Sequence, residues 1–267
     1  MLTLDIPALF FGLYGLILGS YLNVVVYRLP AGIPTSYPAS RCPRCLMPIR
    51  PWHNVPVLGW IFLRGRCRDC QTPISPRYPL VEATTGILFV LSWRTFDTVP
   101  EVLSALLFSC LMVVLGLIDL DHRALPDELT LSSVVLGIGA SLVVGRGTLL
   151  ELLAAALLGW CVLAVPSWIW SRWRGEVGFG AGDGRMLAGV GAFSGIEGVW
   201  LTLTLSCGLA SVSWLLARGL VGASARGWLG TSGGGGVAVA RGLVASLPFG
   251  SFMAVSALVT QFTLGSP

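Results

Sequence analysis

The stretch Gly178-Phe179-Gly180-Ala181-Gly182-Asp183-Gly184-Arg185 decides how this chain is read. It lies between two strongly apolar segments and therefore close to a membrane surface. It sets one carboxylate, Asp183, in a run of glycines, where the backbone turns freely and another segment can approach closely. An ionisable residue at the end of a membrane helix points to function by default. The plainer alternative is a glycine-rich loop with a solvated Asp. Deciding between them requires a partner for Asp183 elsewhere in the chain.

Working outward, 54% of the 267 residues are hydrophobic and only 11% are charged, with mean hydropathy +0.80. Soluble domains carry about 25% charged residues. The expected fold class is therefore an all-α polytopic membrane protein. The net charge of +4 comes entirely from Arg, and most Arg lies between apolar segments. That is a topology signal, not nucleic-acid affinity. The first apolar run follows Asp5 and lacks a small-residue cleavage pattern, so it is expected to be a span and not a removed signal.

Apolar runs near 7–27, 80–93, 102–118, 129–144, 149–170, 184–193, 199–216 and 243–262 give about eight transmembrane helices. The sixth is short and amphipathic. The last is interrupted by Pro248 and preceded by a glycine linker at 233–236. Gly12, Gly15, Gly19 and Ser20 form a small face on the first helix, suited to close packing in lipid, and Asn23 is expected to bond a neighbouring helix. Cys110, Cys161 and Cys207 read as small buried hydrophobes.

Residues 28–78 differ in kind. Arg28, Arg41, Arg44, Arg50, Arg64, Arg66, Arg68 and Arg77 stand against one acid, Asp69. The same insert holds Cys42-Pro-Arg-Cys45 and Cys67-Arg-Asp-Cys70. Each CxxC turn presents two thiolates on one side, and four thiolates close a tetrahedron around Zn²⁺. Two disulfides would need an oxidising compartment, whereas the Arg excess places the insert in the reducing cytoplasm. With no open coordination position the zinc is structural, folding an insert too small to bury its own core. His53, between the pairs, is not expected to be a ligand. The chain thus divides into a first helix (1–27), a small cytoplasmic zinc-ribbon-like insert (28–78) and a transmembrane domain (79–267).

The loops on the insert's side hold Arg123, then Arg172 and Arg174, then Arg218, Arg226 and Arg241. The positive-inside rule puts that set in the cytoplasm and both termini on the other side. Asp119 then leaves the third helix at the face where Asp183 enters the sixth. Two facing Asp carboxylates cannot both ionise cheaply, so the pair shares a proton. The ionised member can take a proton from water while the other donates to a substrate carbonyl, giving hydrolysis without a covalent intermediate. His122 is expected in the interfacial loop, and Asp127, after Pro126, as the N-cap of the next helix.

Gly180-Ala181-Gly182-Asp183 resembles the GxGD motif of intramembrane aspartyl proteases. With Asp119-x6-Pro126-Asp127, the chain resembles the bacterial prepilin peptidases, or type IV leader peptidases. Gly19-Ser20-Tyr21-Leu22-Asn23-Val24-Val25-Val26-Tyr27-Arg28-Leu29-Pro30, the paired CxxC insert, Ser75-Pro-Arg-Tyr-Pro-Leu-Val-Glu82 and Leu247-Pro-Phe-Gly250 are also similar to family features.

The resemblance implies Asp119 and Asp183 as the catalytic pair, with Gly180, Gly182 and Arg185 supporting the motif. It implies prepilin or pseudopilin substrates of a type IV pilus or type II secretion system, cut on the cytoplasmic side after the Gly ending a basic leader. It also implies N-methylation of the new amino terminus with S-adenosylmethionine, whose binding residues the sequence does not identify. The implied setting is the bacterial inner membrane, among lipid and pilus or secretion assembly proteins. Arg185 departs from the family's common Lys and Phe179 from its common Met; a guanidinium fork differs in geometry from a point ammonium. A basic leader facing an Arg-rich insert leaves two options: acids such as Asp121, Asp127 and Glu128 receive it, or the insert's Arg face anionic lipid. Two other functions remain to be weighed: a transporter using the Asp pair as proton or cation sites, and a non-catalytic assembly protein docking through the insert.

Overall fold

In hydrocarbon every backbone N–H and C=O must find its partner within the chain, which leaves helices as the available structure for these segments. The computed structural model describes residues 5–175, 180–227 and 248–265, with side chains as far as Leu216 in the second of these. Gly178, Phe179, the linker at 233–236 and the start of the last apolar run lie outside the described residues. Among the described residues the fold is all-helical and contains no strand.

The elements are α1 (Ile6–Arg28), a 3-10 turn (Pro51–His53), α2 (Leu58–Phe62), α3 (Arg77–Thr95), α4 (Val99–His122), α5 (Asp127–Val144), α6 (Leu149–Arg174), α7 (Ala181–Gly227) and α8 (Phe249–Leu264). Five stretches are long and apolar enough to cross a membrane: α1, α4, α5, α6 and Ala181–Leu216 within α7. The chain is a multi-pass membrane protein. The sixth and seventh expected segments fall on either side of Gly195, which leaves helical geometry at φ 69° and ψ −169°, a region open to glycine. A Cβ on Gly191 would stand 3.0 Å from Val199 Cγ2. A straight helix would separate those residues by about 12 Å, so the chain doubles back at Gly195.

Local sequence sets several ends. Thr98 with Glu101 and Thr148 with Glu151 form reciprocal capping boxes that start α4 and α6. Gly145 and Gly175 close α5 and α6 in the left-handed conformation. Three expectations need correction. First, α4 runs through His122, so His122 ends the helix and does not lie in a loop. Second, Pro126 occupies the N-cap of α5 and no side chain caps it; Asp127 is the first helical residue. Third, Cys207 is exposed, and Cys110 and Cys161 are only partly buried. Lipid is as apolar as a Leu side chain, so an apolar residue gains little by turning inward from it.

The helices pack as two groups joined through α4. α1 lies along α3, while α7 is held by α5, α6 and α8. A Cβ on Gly15 would come within 2.9 Å of Gly86 Cα and the Phe89 side chain, and one on Gly19 within 2.8 Å of Glu82 Cα. Backbones therefore meet along the small face of α1. Asn23 is buried there and donates through Nδ2 to the carbonyls of Gly19 (3.2 Å) and Tyr78 (3.3 Å). The second group closes over a core of Phe108, Met112, Leu115, Met186, Phe193 and Met253.

The insert is built from two copies of one turn. Cys42 N–H donates to the Met47 carbonyl (3.0 Å) and Leu46 N–H to the Cys42 carbonyl (2.9 Å). Cys67 N–H donates to the Thr72 carbonyl (2.8 Å) and Gln71 N–H to the Cys67 carbonyl (3.0 Å). Leu46 and Gln71 occupy equivalent left-handed positions, and the bridges Arg41–Pro48 and Arg66–Pro73 close the two turns. Buried Glu82 of α3 accepts the Val57 N–H (2.7 Å) and ties the insert to the membrane helices.

A branched side chain at position 19 would push α1 off α3. Gly19→Val is expected to destabilise the protein by about 1–3 kcal/mol, the range for overpacking. The expected readout is a lower melting temperature in detergent. Gly139→Ala, where an added Cβ meets nothing within 4 Å, should melt like the parent.

Candidate active site

Three helix ends meet at one face of the bundle. α4 ends there with Asp119 in its last turn, α7 begins there with Asp183 in its first, and α8 begins there after Pro248. The two carboxylates converge on Gly250, in the first turn of α8. A Cβ built on Gly250 would stand 2.9 Å from Asp119 Oδ2 and 3.2 Å from Asp183 Oδ1. Both acids thus reach the same small volume, which is open because residue 250 has no side chain.

The two environments differ. Asp119 is 5% exposed, whereas Asp183 is half-buried. Asp119 Oδ2 accepts the Ser251 N–H at 2.7 Å and lies 3.1 Å from Ser251 Oγ. The N-terminal N–H groups of a helix have no intrahelical acceptor, and the helix dipole favours an anion there. Asp119 therefore caps α8 from across the bundle. Asp183 serves its own helix: its N–H donates to the Gly180 carbonyl (3.1 Å).

The glycine motif has a packing cause. A Cβ on Gly182 would lie 2.8 Å from Leu125 Cβ, so the connection after α4 rests directly on the first turn of α7. Arg185 does not bond either acid of the pair in the described contacts. Its Nη2 donates to Asp127 Oδ1 and its Nε to Thr130 Oγ1 (3.3 Å), joining the starts of α5 and α7. Asp121 is matched by Arg77 at 2.5 Å. Two of the three acids considered for a basic leader are therefore already paired with Arg. His122 is exposed.

Sequence reasoning quoted Gly250 without a role and did not reach Ser251. The available signal was Pro248, which begins a helix readily and leaves the N–H groups after it free.

At the insert, the sulfurs of Cys42, Cys45, Cys67 and Cys70 all lie within 4.8 Å of one another. Cys42 Sγ is 3.7 Å from Cys70 Sγ, and Cys45 Sγ is 4.0 Å from Cys67 Sγ. A tetrahedron with metal–sulfur bonds of about 2.3 Å has edges of about 3.8 Å, so this cluster is sized for a metal. The backbone N–H groups of Cys45 and Arg44 lower the Cys42 thiol to about 6, whereas Cys45, where the Met47 N–H is outweighed by burial and the neighbouring sulfurs, is raised to about 12. His53 is not in the cluster.

Known protein families match most of the chain. Residues 13–96 match the bacterial peptidase A24 N-terminal domain, and residues 106–216 match the type IV leader peptidase family. A prepilin leader peptidase/N-methyltransferase of Klebsiella pneumoniae is 39% identical over 203 residues, covering 74% of this chain and 89% of the relative. One of Myxococcus xanthus is 37% identical over 219 residues, covering 80% and 65%. One of Neisseria gonorrhoeae is 32% identical over 228 residues, covering 76% and 80%. No solved structure matches. With both halves matched and relatives at this identity covered over most of their length, the chain belongs to the type IV leader peptidase family.

Proposed function

We propose that this chain is a membrane aspartyl endopeptidase acting on type IV prepilins or type II secretion pseudopilins. It cuts the basic leader after a Gly at the cytoplasmic face and N-methylates the new amino terminus. The observation that carries this reading is the convergence of Asp119 and Asp183 on Gly250. A transporter would need its ionisable groups along a path through the membrane, whereas these lie together at helix ends on one face.

The mechanism follows from charge. Two carboxylates this close hold one proton between them. A water bound between them loses a proton to the ionised member as its oxygen attacks the scissile carbonyl. The protonated member gives its proton to that carbonyl oxygen. In the second step the newly protonated carboxyl gives its proton to the departing amine, the C–N bond breaks, and the carbonyl reforms as one hydroxyl of the intermediate returns its proton to the other carboxylate. Buried Asp119 is the anchored partner, and half-buried Asp183 lies nearer the entry for water and peptide.

The metal at Cys42, Cys45, Cys67 and Cys70 is taken as structural Zn²⁺, since four thiolates leave no open position. When bound it holds the two turns of the insert together. S-adenosylmethionine is the methyl donor that the family relationship suggests. No residue is assigned to it, and no step above runs through it. The Arg-rich insert and its companion loops favour a cytoplasmic active-site face in the bacterial inner membrane, with both termini periplasmic.

In membranes supplied with a prepilin, Asp119→Asn and Asp183→Asn should each slow cleavage by roughly 10²–10⁴-fold, the usual contribution of acid–base catalysis, while still inserting. A normal rate in either variant would rule out the pair as assigned. The mass of pilin cut by the intact protein reads the second activity: addition of one methyl group supports it, and an unmodified terminus counts against it. Gly250→Ala should cost about 10²-fold in cleavage, because a displacement near 1 Å at reacting groups is enough for that. Elemental analysis should find one zinc per chain. Strong chelation or Cys67→Ser should speed proteolysis at the insert's arginines and leave the membrane helices protected.

A further inference from the structure

We propose that Ser251 is a positioning residue for the carboxylate pair: its hydroxyl adds a second donor to Asp119 Oδ2 when Asp119 is ionised and turns away when it is protonated, and so biases the shared proton toward Asp119 Oδ1 and Asp183. This rests on the reading of Asp119 and Asp183 as the catalytic pair.

Ser251 brings two donors to one oxygen. Its backbone N–H lies 2.7 Å from Asp119 Oδ2 and its Oγ 3.1 Å from the same atom. The same Oγ is 2.9 Å from the Gly116 carbonyl, one turn earlier on α4. A hydroxyl has one proton to donate, so it serves Asp119 or Gly116, not both. When Asp119 is ionised, the hydroxyl and the N–H both point at Oδ2. When Asp119 takes up a proton, the hydroxyl turns to Gly116 and the N–H stays. In either state Oδ2 keeps a donor facing it, and the mobile proton belongs on Asp119 Oδ1 or on Asp183. Protons lost by water and gained by the carbonyl then pass through Asp119 Oδ1 and the Asp183 carboxylate, not through Oδ2.

The hydroxyl's part is separable from that of the helix end. Pro248 offers no side-chain cap, so Asp119 also completes the first turn of α8. The backbone N–H makes that bond and survives in Ser251→Ala. A role limited to capping would therefore not register the loss of Oγ.

The test uses the full chain in membranes, with prepilin cleavage followed at saturating and limiting substrate. Ser251→Ala should lower kcat roughly tenfold or more, the size expected for one hydrogen bond to a charged group. Its KM should stay within about twofold, and its melting temperature near that of the parent. Ser251→Thr, which restores a hydroxyl, should recover most of the rate. A parental kcat in Ser251→Ala overturns the proposal. So does a Ser251→Thr variant as slow as Ser251→Ala, because then the hydroxyl is not what matters. Asp119→Asn and Asp183→Asn run alongside: if they still cleave, the pair itself is misassigned. If they are inert while Ser251→Ala is normal, only the role of Ser251 fails.

Discussion

Two carboxyl groups cannot be brought together in a half-apolar place, even sharing a proton, unless something favours the charge that remains. In this protein that support comes from helix ends. Asp119 receives donors from the start of α8, and Asp183 sits in the first turn of α7. Helix N-termini present unsatisfied N–H groups and a partial positive charge. The bundle directs two of them at one spot and leaves residue 250 without a side chain, so the carboxylates can occupy it. The rest of the architecture can be read as the means of bringing α4, α7 and α8 to that point. The reversal at Gly195 contributes directly, since it returns the chain beside α8 and lets Val199 join the core that holds Met186 and Met253.

The insert solves a different problem. It is rich in Arg and poor in core-forming residues, and it contains no regular strand among the described residues. A unit of this size cannot offset the entropy of ordering its chain by apolar burial alone. Its two Cys turns share one hydrogen-bond pattern and set four sulfurs at metal-site spacing. The unit is also fastened to the membrane helices. Glu82 holds Val57, and Arg77 at the head of α3 pairs with Asp121 in the last turn of α4. The second contact lies only two residues from Asp119, so insert and active face share a structural element.

Much of the helical layout was legible in the sequence, because hydropathy over a membrane-length window is a strong signal and the alternatives are few. Segments expected at 7–27, 129–144 and 149–170 correspond closely to α1, α5 and α6. Ends were harder to place. α4 begins earlier and finishes later than its apolar run, since a capping box starts it and polar residues prolong it past Ile118. Asp127 resembled a cap by residue type, yet Pro126 takes that position and Asp127 turns instead to Arg185. The exposed Cys207 shows why an inside–outside rule learned in water misreads a lipid-facing helix.

By itself the sequence determined the class of fold, the metal-type cysteine pattern and the two acids worth pairing. Composition, spacing and charge sign act locally, and all three can be counted along a chain. Tertiary structure alone decided that Asp119 and Asp183 reach a common volume, that Gly250 keeps that volume open, and that Ser251 supplies both donors to one oxygen of Asp119. These relations join residues more than sixty positions apart. They depend on how helices cross and rotate, and no periodicity in the sequence encodes that, because it emerges only when the side chains of separate helices compete for the same space.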